Sequence, residues 1–356
     1  MKIGIAYSLA PVKHDAADGP DDRYEEFDRP ETVDAIASVI RDDGHDVTLL
    51  GDGREFLAKM LADPLDFVFN IAEGAGVSRN REARVPAVCE MLGVPYSGSD
   101  SLTLAASLDK DVARTLVGKE VAIPEGMLLY EHAPGGPKLH IDMLSIAFGP
   151  GGPLVDDRLP FPMIFKPAFE GSSKGIRGRC VATTRPEALA IYQRLLAEYR
   201  QPVMAERFID GDEVTVGIIG NFKPWQMNPD DFIGQMRILP KLADGPFIYS
   251  LEVKRDWRNR VSYEAPANLP KTVGMATRAA AISAFIELGC RDFARFDFRL
   301  LDGVPYFIEA NPLPGLAPVT SDLVILAEGY GIGHPELIRR ILHAALRRVG
   351  LMEHAT

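Results

Sequence analysis

The sequence contains few of the residues that form disulfide frameworks, zinc sites or membrane spans. Its three cysteines, Cys89, Cys180 and Cys290, are scattered without a CxxC pair, which argues against a disulfide framework and a zinc site. Its seven histidines show no HxxxH or HExxH spacing. No apolar run reaches the about 18 residues of a membrane span, and MKIGIAY is typical of a strand, not of a secretory signal. We therefore expect buried, reduced thiols in a cytoplasmic protein without a membrane partner.

The sequence also has fewer basic than acidic residues. Lys and Arg total 39 against 50 Asp and Glu, which gives a net charge of -11. This balance argues against a nucleic-acid partner and leaves room only for a local basic pocket. Hydrophobic residues make up 46% and charged residues 25%, as in an ordinary globular protein.

The 356 residues predict two or three lobes. Strand and helix patterns alternate over the first hundred residues, which indicates a parallel sheet covered by helices. We divide the chain into an N-terminal α/β domain (1–105), a central lobe with a glycine-rich loop (106–200) and a C-terminal lobe (201–356). A single helix is predicted from Leu102 to Gly118, and a surface loop with one short helix at 132–158.

A lysine and a glycine-serine loop follow one predicted strand, in the sequence FKPAFEGSSKG from Phe165 to Gly175. Glycines allow backbone N–H groups to converge on an anion, and the hydroxyls of Ser172 and Ser173 add donors. Lys166 would bring a positive charge to a phosphate. A polar turn with a surface lysine gives the same pattern. The segment is not a P-loop, because no GK[ST] follows GxxxxG, and no GxGxxG follows the first strand.

Two carboxylates lie on a predicted hairpin that turns at Asp302-Gly303. Alternation puts Arg295 and Asp297 on one face of the first strand, and the turn brings Glu309 nearly opposite Asp297. With Asn311 they form an all-oxygen cluster, which suits Mg²⁺ better than zinc. A register slip of one residue would separate the carboxylates. The alternative is a solvated strand face whose carboxylates pair with arginines.

The stretch from Met204 to Glu213 contains one strand, a turn at Asp210-Gly211 and the start of another strand. It resembles a hinge that holds the adenine and ribose of a nucleotide. A plain hairpin explains the pattern equally well.

In their order along the chain, these segments resemble the ATP-grasp superfamily and, more closely, the D-alanine–D-alanine ligase family. The matching stretches are GVPYSGSD with SLDKDVAR, then KPAFEGSSKG, AERFIDGDEVTVGI, GCRDFARFDF and IEANPLPGL. The resemblance implies an ATP-grasp fold, with an N-terminal parallel α/β lobe and two α+β lobes that clasp the nucleotide. It also implies an ATP-dependent carboxylate–amine ligase that works through an acyl phosphate. ATP and two Mg²⁺ (or Mn²⁺) ions would be cofactors, small acids and amines the partners, and a homodimer the expected assembly.

The resemblance also implies roles for the matching residues. ATP would be bound by Lys110, Lys166, Ser172, Ser173, Glu206, Arg207, Ile209, Glu213 and Lys254. The metal ions would be held by Asp297, Glu309 and Asn311. Catalysis would use Arg295, Ser173, Lys254 and the backbone N–H of Gly315. The candidate substrate contacts are Glu73, Arg255 and Ser321.

The half of the chain that would bind the substrate departs from the family pattern. Family members usually carry GG-x-S-x-E after the first strand, and its glutamate binds the ammonium of the first amino acid. Here that strand runs into SLAPV and a long acidic loop, so Glu25, Glu26 or Glu31 would have to replace the glutamate. The mobile loop has Arg255 where the family has tyrosine after its lysine.

A second departure is NIAEG at 70–74, which replaces the usual HG-x-x-GEDG. Arg79, Arg81 and Arg84 follow closely. They would serve a second carboxylate or a phosphate on the substrate, or they simply cover a solvent-facing helix start.

Several functions remain open at this point. D-alanine–D-alanine ligation itself is one, and ligation of a different amino acid or dipeptide is another. A hydroxy acid could replace the amine as nucleophile. The alternative from another class is a nucleotide-binding regulator that has lost turnover.

Overall fold

The computed structural model describes residues 1–11, 19–130, 161–221, 231–242 and 246–353. The loop and short helix predicted at 132–158 lie outside these residues. No helix that it describes is long and apolar enough to cross a membrane. The three cysteines are free and buried, as expected.

The N-terminal lobe is built around a parallel sheet. Its strands, in the spatial order β2-β1-β3, are β1 (Lys2–Tyr7), β2 (Asp46–Gly51) and β3 (Phe67–Ile71). Its helices are α1 (Pro30–Asp42), α2 (Gly53–Ala62) and α3 (Arg84–Leu92). Every residue of β3 is buried, because helices cover both faces of a parallel sheet. The predicted parallel α/β lobe is confirmed.

The second sheet is antiparallel and forms the central lobe. In the spatial order β4-β7-β5-β6, its strands are β4 (Gly126–Leu129), β5 (Met163–Pro167), β6 (Val181–Ala182) and β7 (Val203–Arg207). Helix α6 (Arg185–Tyr199) buries Ile191, Tyr192 and Leu195 against this sheet. Because β7 pairs with β4 and β5, the boundary predicted after residue 200 falls one strand too early.

The third sheet has five antiparallel strands in the order β10-β9-β8-β11-β12. They are β8 (Asp212–Ile219), β9 (Phe232–Pro240), β10 (Val261–Glu264), β11 (Phe293–Leu301) and β12 (Val304–Asn311). The helices described beyond residue 250 are α7 (Leu251–Arg255), α8 (Trp257–Arg260), α9 (Lys271–Glu287), α10 (Asp322–Gly329) and α11 (His334–Arg348). Side chains of α10 and α11 share one buried cluster with β1 and α1, so the C-terminal helices join this lobe to the first.

The prediction of a single helix from Leu102 to Gly118 is wrong, because Asp109 interrupts the helix. Helix α4 (Ser101–Leu108) ends there and α5 (Lys110–Val117) begins. Asp109 has extended backbone, and its side chain accepts hydrogen bonds from the backbone N–H groups of Asp111 and Val112 in α5. Lys110 is therefore the first residue of a new helix, and its own N–H donates to Ala168 O of the central lobe over 3.1 Å.

Candidate active site

The hairpin of β11 and β12 has the register that joins the two carboxylates. Asp297 lies directly opposite Glu309, and Arg295 lies opposite Asn311. A bulge follows immediately after Asp297, so the carboxylates pair before the register shifts. The predicted pairing is thus confirmed. The neighbouring strand β8 adds Thr215, whose Oγ1 donates to Asp297 Oδ1 over 2.8 Å.

The carboxylate face is half-buried, and cations accompany it. Arg295 Nη2 donates to Asp297 Oδ2 over 2.9 Å, and Asn311 Nδ2 lies 3.4 Å from the same oxygen. Burial raises the pKa of Asp297 despite Arg295. Burial also disfavours the charge of Glu309, but Lys110 and Arg295 outweigh it and lower the pKa of that carboxyl. The alternative of a solvated face is wrong, although its arginine pairing is present.

The donor set at this hairpin fits a hard cation. Asp297, Glu309 and Asn311 supply carboxylate and amide oxygens on two paired strands. Among the residues described, no three His, Cys, Asp or Glu side chains gather closely enough to hold a metal by themselves. Mg²⁺ commonly takes one or two carboxylates and completes its shell with water and substrate phosphates. The hairpin therefore fits an ion that is shared with a nucleotide.

A pocket lies between the four-stranded and five-stranded sheets, and we call it the nucleotide pocket. It collects ten of the predicted residues: Lys166, Ser173, Glu206, Arg207, Ile209, Glu213, Lys254, Arg295, Asp297 and Glu309. Its walls also carry Ile164, Ile176, Phe208 and Ile308. Apolar walls with a few polar groups are typical of sites that bind a flat base.

The connection from β7 to β8 forms one edge of the nucleotide pocket. The two strands belong to different sheets, so residues 208–211 join two lobes and the plain hairpin is wrong. Gly211 is required here, because a Cβ atom would lie 2.0 Å from Leu300 O. The segment therefore has the position of a hinge beside Ile209 and Glu213.

The two predicted phosphate-binding lysines are buried, and each lies beside a carboxylate. Lys166 Nζ is 2.7 Å from Glu206 Oε2, and Lys110 Nζ is 3.4 Å from Glu309 Oε2. Lys110 also donates to the backbone oxygen of Glu170. A polar turn with a surface lysine does not describe Lys166, which is only 2% exposed.

Arg299 also lines the nucleotide pocket, although it is not among the residues predicted to bind ATP. Its guanidinium donates to Glu213 Oε2 over 2.9 Å and to the backbone oxygens of Ile209 and Phe247. Strand alternation alone would have found it, because residues 295, 297 and 299 share one face of β11. Arg299 orients the carboxylate that was predicted to contact ribose.

Asp322 is the second residue that the sequence did not reveal. It is buried at the start of α10, and it accepts from Arg295 over 3.1 Å and from Tyr249 OH over 3.0 Å. Lys254 Nζ lies 3.5 Å away. Burial opposes its charge, but Lys254 and Arg295 outweigh that effect and lower its pKa. No local pattern marks Asp322, because its partners come from three distant segments.

The glycine-serine loop touches the segment at 246–257 that carries Lys254. Ser173 Oγ donates to Tyr249 O over 3.1 Å, and Leu251 N donates to Ile176 O over 2.9 Å. Ser172 and Ser173 both have left-handed backbone, with φ of 47° and 59°. Such strain persists at sites that the surrounding structure holds in place. Ser173 lines the nucleotide pocket, whereas Ser172 lines a different pocket.

The glycine-rich loop provides a first test. Gly175 has a φ of +74°, and a Cβ atom there would lie 2.5 Å from Pro167 Cγ. We expect Gly175→Ala to displace the loop and to raise the KM for ATP about tenfold or more, since backbone strain of this kind costs about 1–3 kcal/mol. Steady-state kinetics measure it. Gly178→Ala, where no atom lies within 4 Å, is the matched control. Equal KM values for the two variants would contradict the role given to this loop.

The second pocket is rich in carboxylates, and we call it the acidic pocket. It is lined by Glu26, Glu73, Glu82, Glu170 and Glu309, with Lys110, Ser172, Arg295, Asn311 and Gly315. It shares Arg295 and Glu309 with the nucleotide pocket. An outer cleft, which also contains Glu73, Arg255, Ser321 and Gly315, continues from it to the surface. In that cleft Ser321 Oγ accepts from Ala317 N over 2.9 Å. The three candidate substrate contacts thus lie along one path.

The three candidate replacements for the ammonium-binding glutamate have different surroundings. Glu26 is buried against Arg81 (2.8 Å) and Lys174 (2.9 Å), and it accepts from Gly171 N over 2.7 Å. Glu25 pairs with Arg255 over 2.7 Å. Glu31 is exposed on α1. Glu26 is therefore committed to holding the glycine-rich loop, so it is not free to bind a substrate.

The three arginines after residue 78 do not form a substrate site. Arg79 pairs with Asp109, and Arg84 is exposed and donates to Ala75 O. The solvent-facing interpretation suits these two residues. Arg81 is 1% exposed and donates to Phe169 O over 2.7 Å, besides pairing with Glu26. None of the three lines the nucleotide pocket, the acidic pocket or the outer cleft.

A parallel α/β lobe, two antiparallel sheets around a lysine-bearing pocket, and paired carboxylates at its base define the class of ATP-grasp ligases. The chain belongs to the D-alanine–D-alanine ligase family. The family model described as D-ala D-ala ligase C-terminus matches residues 154–343. The D-alanine–D-alanine ligase of Anaeromyxobacter sp. (strain Fw109-5) is 30% identical over 312 residues, which cover 87% of this chain and 90% of that protein.

Solved structures agree with this fold. The D-alanine–D-alanine ligase of Bacillus anthracis, complexed with ATP, superposes with a TM-score of 0.69 at 21% identity and covers 99% of both chains. The VanG D-Ala:D-Ser ligase of Enterococcus faecalis gives 0.68 at 18% identity, over 97% of this chain and 99% of that one. These comparisons confirm the predicted family and the predicted ATP-grasp fold. They also confirm the prediction of an ATP-dependent ligase that is similar to D-Ala–D-Ala ligases.

Proposed function

We propose that this enzyme joins a small carboxylic acid to an amine through an acyl phosphate, releasing ADP and phosphate. The observation that carries the proposal is the meeting of the nucleotide pocket and the acidic pocket at Arg295 and Glu309. A nucleotide and an acid placed in the two pockets would meet at that point. ATP supply indicates the cytoplasm as the compartment, and the homodimer stays a prediction.

The reaction needs such a junction because a carboxylate is a poor electrophile. Its oxygen attacks the γ-phosphorus of ATP, the bond to the β-phosphate oxygen breaks, and ADP leaves. The amine nitrogen then attacks the acyl carbon, and the bond between that carbon and the phosphate oxygen breaks. The amine gives up a proton, and the products are an amide, ADP and inorganic phosphate.

The residues of this chain position and stabilise the reacting groups. Lys110 and Lys166 would hold phosphate oxygens, since both are buried cations at the two pockets. Arg295 and the backbone N–H of Gly315 would stabilise the oxyanion that forms at the acyl carbon. Ser173, with Lys254 on the facing loop, would close the site against water, which otherwise hydrolyses an acyl phosphate.

The base and the ribose have their own contacts in this proposal. Glu206, Arg207 and Ile209 would contact the base at the hinge between the sheets, and Glu213 would accept from ribose hydroxyls. Arg299 is the positioning residue for Glu213, because it holds that carboxylate at 2.9 Å.

Asp297, Glu309 and Asn311 would hold the divalent ions, Mg²⁺ or Mn²⁺. When bound, such ions neutralise charge on the β- and γ-phosphates and help to align them. Asp297 is kept in place for this purpose by Arg295 and Thr215.

D-alanine–D-alanine ligation is the second candidate, because that is the activity in the relatives' names. The departures at the N-terminal half favour another substrate. A silent regulator fits less well, since burying several charges around one pocket is costly and is common at sites of catalysis.

The proposal is tested by measuring ADP and phosphate release with Mg²⁺-ATP across a panel of D- and L-amino acids, dipeptides and hydroxy acids. We expect release that depends on one acid and one amine, with a covalent product in equal amount. Nucleotide binding without release on any pair would refute the ligase and favour the regulator. Release with hydroxy acids alone would make the enzyme an ester-forming ligase.

A further inference from the structure

Glu82 is a buried carboxylate that no part of the proposed mechanism uses. It lies between β3 and α3, is 7% exposed and lines the acidic pocket. No hydrogen bond or ion pair to its carboxylate occurs within the described part of the chain, although its neighbour Arg81 is fully engaged. An unpaired carboxylate in such a place is costly to bury. Its presence therefore requires a compensating ligand or an explanation in function.

Glu73 lines the same pocket and is equally without a hydrogen bond or ion pair among the described residues. It lies just beyond the end of β3. Burial and repulsion from Glu82 raise its pKa well above the usual range. Burial likewise raises the pKa of Glu82 to about 8. The two carboxylates thus disfavour each other's charge while facing one space.

The cations around the acidic pocket are already paired with other carboxylates. Lys110 lies beside Glu309, and Arg295 donates to Asp297 and Asp322. Behind the wall, Arg81 and Lys174 both pair with Glu26 and Glu170. Within the described residues, Glu73 and Glu82 are therefore carboxyl groups that line the acidic pocket without an ion-pair partner.

Asp28 is a third carboxyl of this kind, and it lines the outer cleft. Its carboxyl has no hydrogen bond or ion pair in the described residues, and burial raises its pKa to about 7. It acts on Glu73 through repulsion. The outer cleft is also lined by Arg29, Lys254, Arg255 and Arg258. Unpaired carboxyls therefore favour ammonium groups where Asp28, Glu73 and Glu82 lie, on the way into the acidic pocket.

We propose that the acidic pocket recognises a substrate that carries two ammonium groups, and that Glu82 together with Glu73 binds the inner one. An ammonium group beside each of these two carboxyls would favour its ionised form, whereas a simple amino acid would leave one of them uncompensated. A diamino acid and a diamine share this chemistry. The inference deepens the proposed function, on which it rests for the identity of this pocket as the substrate site.

Calorimetric titration of the full-length protein tests the inference without turnover. The probes are ornithine and alanine, each in both configurations, and 1,4-diaminobutane. We expect one form of ornithine to bind at least about tenfold more tightly than the same form of alanine, since a hydrogen bond to a charged group contributes about that factor. Diaminobutane binding as tightly as ornithine would assign the pocket to diamines, and weaker binding would assign it to diamino acids.

Glu82→Gln supplies the decisive variant, because it keeps the shape and removes the charge. We expect it to weaken ornithine binding about tenfold and to leave alanine binding nearly unchanged. Its Tm should equal or exceed that of the unmodified protein, since the variant removes a buried carboxyl that has no partner for its ionised form. Glu120→Gln, on the exposed surface, is the matched control.

The inference is overturned if alanine binds as well as ornithine, if no dication binds, or if Glu82→Gln leaves the preference intact. Failure of the ligase proposal would look different. Ornithine would then bind in a manner dependent on Glu82, while no acid and amine pair released ADP.

Discussion

Glu309→Gln should lower the rate of ADP formation about 10³-fold. Glutamine keeps the size of the side chain but removes the negative charge that faces Lys110 Nζ at 3.4 Å. It also replaces one carboxylate oxygen of Glu309, the residue that lies opposite Asp297 on the paired strands. Divalent ions at such sites contribute several kcal/mol of charge stabilisation, and each 1.36 kcal/mol is about tenfold in rate. The measurement is kcat at saturating Mg²⁺-ATP, with a thermal melt to verify the fold.

A control variant and a rescue experiment accompany this prediction. Glu287→Gln, an exposed position at the end of α9, should keep full activity. Increasing the Mg²⁺ concentration should recover part of the activity of Glu309→Gln, since the ligand set is weakened but not removed. Unchanged kcat in Glu309→Gln would refute the metal role of the hairpin.

Arg81→Met should be the most destabilising single change outside the hydrophobic core. Arg81 is 1% exposed and lies between Glu26 at 2.8 Å and Glu170 at 3.3 Å. Methionine fills similar space but leaves two buried carboxylates with Lys174 as their main partner. Removing one member of a buried ion cluster costs about 3–5 kcal/mol. Urea unfolding followed by circular dichroism measures the loss of unfolding free energy.

The matched control is Arg84→Met, which changes an exposed arginine three residues further along the chain. We expect its effect to stay within about 0.5 kcal/mol, as is usual for surface positions. A loss of less than about 1 kcal/mol in Arg81→Met would show that Lys174 compensates both carboxylates. In that case the cluster would not be what holds the acidic N-terminal loop to the glycine-rich loop.

Strand periodicity and turn chemistry predicted the hairpin correctly because both are local. Asp302-Gly303 determines the turn, the turn determines the register, and the register brings Asp297 opposite Glu309. The same locality explains the error at Asp109. The helical pattern continues on both sides of it, and only the N-cap signal of an aspartate marks the break.

The unpredicted parts of the site depend on contacts between distant segments. Asp322 receives Arg295, Lys254 and Tyr249 from three separate elements. Glu26 was one of three equal candidates for a substrate contact, and its pairing with Arg81 and Lys174 shows that it joins two lobes instead. No spacing in the sequence contains this information, because charge pairing across 55 and 148 residues depends on how the lobes pack.

By itself, then, the sequence determined the elements, the order of the motifs and the oxygen-rich hairpin, since these follow from neighbours a few residues apart. The tertiary structure decided which charges are paired and which are left over. The reason is that an unpaired charge is costly to bury in a low-dielectric interior. Only the folded chain brings residues that are distant in sequence close enough to pair. Glu26 has its partners in the folded chain, whereas Glu73 and Glu82 have none within the described residues, and burial raises the pKa of both.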